Sequence, residues 1–180
     1  MALAAGCGGA TETSGGSTTV GADAGAADAS ANVGTAPSSD PIAAAATCTS
    51  GMMWTKGNHG SAEMNPGLAC IACHSTMRGP DLTIAGTLYP TGHEPDLCFG
   101  AAGAGGARVV ITGADGQTIT LTPTPSGNFH LGTSVMMPFT AKVTYMGRER
   151  AMTAAQTTGD CNGCHTQSGA NGAPGRITLP

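Results

Sequence analysis

The sequence has few aromatic residues and few charges. Its aromatics are Trp54, Tyr89, Tyr145, Phe99, Phe129 and Phe139, too few to build a large core from rings. A chain with so thin a core needs disulfides, metals or a cofactor to hold it together. The net charge is −4, and the cations (Lys56, Lys142, Arg78, Arg108, Arg148, Arg150 and Arg176) are scattered, with no basic patch. That excludes a nucleic-acid-binding surface of the ordinary kind. No apolar run reaches eighteen residues, so no transmembrane helix is expected. Up to Thr47 the chain is almost entirely Ala, Gly, Ser, Thr and Asp. Such a stretch buries too little surface to offset its ordering entropy, so residues 1–47 read as a disordered tether and residues 48–180 as the folded domain.

Cysteine, by contrast, is plentiful: there are seven in 180 residues. Four lie in two copies of Cys-x-x-Cys-His, at Cys70-Ile71-Ala72-Cys73-His74 and Cys161-Asn162-Gly163-Cys164-His165. In this pattern the two thiols add to the vinyl groups of one porphyrin, and the following His sits beneath the iron, so each copy reads as a c-type haem attachment site. Three other readings fit the cysteines alone. Cys70, Cys73, Cys161 and Cys164 have the spacing of a four-thiolate zinc site, but that leaves the two His without a role. A thioredoxin-like dithiol lacks a surrounding βαβ pattern, and plain disulfides are the third reading.

Cys7 ends Leu3-Ala4-Ala5-Gly6-Cys7, which resembles the lipobox of bacterial lipoproteins. The resemblance implies lipidation of Cys7. Only six residues precede it, with no basic region, so the reading also implies a translation start further upstream. Cys48 and Cys98 then remain for one possible disulfide, which closes the cysteine arithmetic.

From Gly86 onward, short β-prone runs alternate with turn residues. Gly86–Tyr89, Arg108–Thr112, Thr118–Thr122, Phe129–Leu131, Phe139–Tyr145 and Arg148–Met152 are expected strands, with turns at Asp115-Gly116, Ser126-Gly127 and Met146-Gly147. The expected fold is mainly β: a small antiparallel sandwich over about residues 86–152, flanked by irregular or short-helical motif segments. Gly86-Thr87-Leu88-Tyr89, Gly105–Ile111, Ala114-Asp115-Gly116 and Ser126–Phe129 resemble, in order, pieces of the carboxypeptidase-regulatory-like (transthyretin-like) sandwich. With one motif on each side of these runs, the chain resembles exported bacterial di-haem c-type cytochromes. That resemblance implies two haems c, other redox proteins as partners, no nucleic acid, and a periplasmic or cell-surface location with membrane contact only through the lipid anchor.

A low-spin electron-transfer haem takes a sixth ligand, His or Met. The candidates are His93, in a Pro-bounded loop before Cys98, then His59 and His130. Met64 and Met152, each shortly before a motif, are further candidates, with Met136 and Met137 behind them. Electron transfer without catalysis is the expected function. The alternatives are a di-haem peroxidase-like enzyme with an open iron, for which Glu63, Glu94 and Asp96 are the nearest acids, and a binding or adhesion module stapled by zinc or disulfides.

Overall fold

The computed structural model describes residues 47–180. Cys7 with its lipobox-like context, and the expected tether up to residue 46, lie outside them. Helix α1 (Cys70–Met77) precedes strands β1 (Ile84–Tyr89), β2 (Arg108–Thr112), β3 (Thr118–Leu121), β4 (Asn128–Leu131), β5 (Thr140–Tyr145) and β6 (Arg148–Ala151); helix α2 (Cys161–Cys164) and strand β7 (Ile177–Thr178) follow. The fold is mainly β, with two sheets ordered β4-β1-β7 and β3-β2-β5-β6.

In the four-stranded sheet, burial follows sequence alternation. Val109 and Ile111 of β2 turn inward, as does Val143 of β5, while their neighbours stay half-exposed. The β2–β3 hairpin closes at Asp115-Gly116, where the Asp115 side chain accepts from the Gln117 N–H at 3.0 Å. Met146 and Gly147 both have positive φ, which lets a two-residue turn join β5 to β6 with the right twist. The two sheets share one core, in which Ile84, Leu88 and Phe129 of the first meet Val109, Ile111 and Val143 of the second, with Phe139 beside them.

β1 is buried along all six residues. Ile84 and Leu88 face the shared core. Thr87 and Tyr89, on the other face, are covered by the loop before α1. β7, which no sequence signal marked, pairs with β1 in parallel (Leu88↔Ile177), so the smaller sheet is mixed. A disulfide joins Cys48 to Cys98 beside Tyr89, pinning the amino-terminal described segment to the loop after β1. No helix among the described residues is long and apolar enough to cross a membrane. The disulfide is consistent with export to an oxidising compartment.

Candidate metal and cofactor centre

The first motif forms the start of α1. In a helix, positions i, i+3 and i+4 share a face, so Cys70, Cys73 and His74 stand together. All three line one groove of about 490 Å³, walled by Met64, Leu82 and Phe129. The helix ends at Arg78, in the left-handed conformation, and Gly79 then passes directly over the imidazole. A side chain at Gly79 would come within 2.7 Å of His74 Cγ, so only glycine permits this approach. His74 Nδ1 lies 3.0 Å from the Pro80 carbonyl oxygen. A carbonyl only accepts, so Nδ1 donates and Nε2 keeps its lone pair.

The second motif forms the single turn of α2 and has the same spacing, but here Cys161 is a free thiol while Cys164 is disulfide-bonded. Cys161, Cys164 and His165 line a second groove of about 390 Å³, walled by Phe139, Val143 and Ile177. His165 Nδ1 donates to the Gly175 carbonyl at 2.8 Å, again leaving Nε2 with its lone pair. Both volumes fall in the range of ordinary small-molecule and cofactor sites, about 300–1,000 Å³.

The motifs are clamped to each other across β1. Asn162, the residue after Cys161, is buried. Its Nδ2 donates to the Leu68 carbonyl at 2.9 Å and to Thr87 Oγ1 at 3.0 Å, and its Oδ1 accepts from the Thr87 N–H at 3.0 Å. Thr87 Oγ1 also accepts from the Gly67 N–H at 2.9 Å and donates to Asn128 Oδ1 at 2.8 Å. α1 has no side-chain cap of its own; instead Asp160 Oδ2 accepts from the Ala72 N–H at 2.8 Å, so the residue before the second motif caps the first. The other oxygen, Asp160 Oδ1, is buried with no hydrogen-bond partner among the described residues.

Arg176 holds the segment after the second motif. Its side chain is 1% exposed. Nε donates to the Glu94 carbonyl at 2.9 Å; Nη1 donates to the carbonyls of Gly67 at 3.1 Å and His165 at 3.3 Å; Nη2 meets Asp96 Oδ1 at 2.5 Å. The guanidinium also lies 5.0 Å from the centre of the Tyr89 ring. Burial raises the Tyr89 hydroxyl above its ordinary pKa, so the ring stays neutral beside this cation.

Burial also pushes the Cys70 thiol up to about 11 and the Cys161 thiol up to about 12, with the Asp160 charge adding to both. Protonated thiols of this kind are poor dithiol reductants. Among the described residues, the motif cysteines and histidines do not converge within 4.8 Å in any group of three, which the zinc reading requires.

Of the other candidate ligands, His130 lines the first groove with His74. Met64 lines it as well, and Met152 lines the second groove. His59 is exposed and lines neither groove, although Asn58 and Gly60 beside it border the first. His93 is exposed, with Nδ1 donating to the Gln167 carbonyl at 2.8 Å, and lines neither groove. Met136 and Met137 are exposed and lie outside both grooves. Asp160, Asn162 and Arg176 carried no sequence signal as part of the site, beyond the acid standing directly before Cys161 and the lone cation in a Gly-rich segment.

Comparison of the chain with family models, with curated proteins and with solved structures gives no match.

Proposed function

We propose that this chain is an exported electron-transfer protein carrying two covalently attached haems c. The observation that supports it best is the repeated arrangement: each motif sets two cysteines and a histidine along one largely apolar groove, with the histidine Nδ1 tied to a backbone carbonyl. A carbonyl partner of this kind fixes the tautomer and orients a ligating imidazole, as it does for metal-bound histidines generally. On this reading Cys70 and Cys73 hold one haem, and Cys161 and Cys164 the other once the Cys164 disulfide has been reduced to the thiol by a cellular dithiol, with His74 and His165 as the proximal ligands. The bound haem supplies one-electron chemistry, and the protein supplies attachment, orientation and burial. Pro80 and Gly175 orient the imidazoles, while Thr87 and Asn162 keep the two attachment sites adjacent.

Two of the acids nearest the motifs are already committed. Glu94 is buried and accepts from the Thr49 N–H at 2.5 Å and the Thr91 hydroxyl at 2.7 Å, and Asp96 pairs with Arg176. Neither is a free acid–base group. Other redox proteins are the natural partners. Lipidation at Cys7 would anchor the chain to a membrane surface, with the sandwich of carboxypeptidase-regulatory-like order as the exported domain.

The test is maturation in a host able to install haem c. The expected result is an intact mass increased by two porphyrins, with one lost from the Cys70→Ala, Cys73→Ala double variant on a haem-stained denaturing gel. His165→Ala should keep its porphyrin but change its spectrum. Absence of any added porphyrin would overturn the reading. Carbon monoxide binding by the reduced protein would favour an open-iron enzyme instead.

A further inference from the structure

We propose that Cys48, Cys98 and Glu94 form a latent metal site: when a dithiol reductant opens the disulfide, the two thiolates and the buried carboxylate bind one zinc ion. The site stands apart from both motif grooves and does not rest on the haem reading.

Glu94 carries the argument. A carboxylate is almost never fully buried without a charged partner. Glu94 is 2% exposed, and among the described residues it has no ion pair. Every donor to its carboxylate is neutral. Oε1 accepts from the Thr49 N–H at 2.5 Å, and Oε2 accepts from the hydroxyls of Thr49 and Thr91, each at 2.7 Å. Arg176 donates to the Glu94 backbone carbonyl and pairs with Asp96 instead. A carboxylate oxygen has two acceptor positions, so Oε1 keeps one unclaimed. Among the described residues, Cys48, Glu94 and Cys98 bring one ligand atom each to within 4.8 Å of one another, and all three are buried. The carboxylate therefore stands against both sulfurs of the disulfide.

Bonded to each other, those sulfurs are not metal ligands. A dithiol gives two electrons and two protons to the Cys48–Cys98 bond and itself becomes a disulfide, leaving two thiols. Zinc then displaces both thiol protons to water and takes the thiolates as ligands. Two thiolates on one tetrahedral zinc stand about 3.8 Å apart, given Zn–S bonds of about 2.3 Å, and the 4.8 Å cluster accommodates that spacing. Thiolates exclude magnesium and calcium, and the carboxylate disfavours copper(I), which leaves zinc. Three protein ligands leave the fourth position to water. Thr49 and Thr91 aim the carboxylate, as hydrogen-bonded neighbours do at metal sites generally. Thr47 and Thr49, on either side of Cys48, are exposed, so a reductant reaches the bond from this edge. The ion then takes over the disulfide's task of holding the segment around Cys48 to the loop after β1.

The experiment reduces the full chain with a dithiol, removes the reductant without air, adds Zn2+ alone and follows alkylation of each cysteine by peptide mass spectrometry. Counting each position separately keeps zinc at the motif cysteines from mimicking the result. Zn2+ should slow alkylation of both Cys48 and Cys98 by about tenfold or more, because a metal-held thiolate is no longer a free nucleophile, and a chelator should reverse the effect. In the unreduced chain neither position should be alkylated. Glu94→Gln should still form the disulfide, but its affinity for Zn2+ at this pair should fall about tenfold or more, since even a residue behind a ligand is worth about 10–100-fold. The proposal is overturned if either cysteine alkylates equally fast with and without Zn2+, or if Glu94→Gln is protected as well as wild type. It is also overturned if reduction unfolds the chain and Zn2+ does not restore its circular dichroism. None of these outcomes bears on the porphyrin mass test.

Discussion

Arg176 reaches three carbonyls and one carboxylate from a position with almost no exposure. Arg176→Met would leave buried carbonyls unpaired, at a cost of about 3 kcal/mol or more. Arg176→Lys should not restore it, because an ammonium cannot reproduce the planar fork; urea melts of the three proteins check both. Gly79→Ala would push a methyl against His74 and, if the proposed haems are installed, should alter the spectrum of the one at the first motif while leaving the other unchanged. The thiols give a pH test in the haem-free chain. Their folded pKa values, about 11 and 12, lie above the ordinary 9.0. Below pH 9 both states keep these protons and the thiols contribute no pH dependence. From pH 9 upward the unfolded chain ionises while the folded chain does not, so stability should fall with rising pH towards 11–12, and Cys161→Ala should flatten part of that slope.

At the scale of elements, β2 is the strand on which both neighbours register, and Ile111 fills its inner face at 1% exposure. Ile111→Ala should cost about 2–5 kcal/mol in a denaturant melt. This strand was legible because period-two alternation survives wherever one face is buried and the other wet, as in Val109 and Ile111 or Val143. β1 was only partly legible. It begins at Ile84, two residues before the run that sequence marks, because burial on both faces removes the alternation. β7 has two residues, too few to show any period. The same division holds in the site. The motifs could be read because each is five consecutive residues and the pattern occurs twice. Thr87, Asn128, Asn162 and Asp160 could not, because a buried polar hub is set by long-range contacts, such as Asn162 to Leu68, that leave no local pattern.

For the molecule as a whole, the thin core makes cross-links matter. The Cys48–Cys98 disulfide spans 50 residues, and the loop-entropy relation assigns closure of such a loop about 4 kcal/mol. Replacing both cysteines by Ala should lower the melting temperature sharply, as calorimetry of the oxidised and variant chains would show. β1 governs a different kind of robustness. Through Thr87 one strand serves as common masonry for two chambers, so neither can be rebuilt without disturbing the other. Injury at that wall is therefore shared: its failure empties both rooms together, and a lineage altering this protein has freedom at each chamber's outer side but very little where they touch.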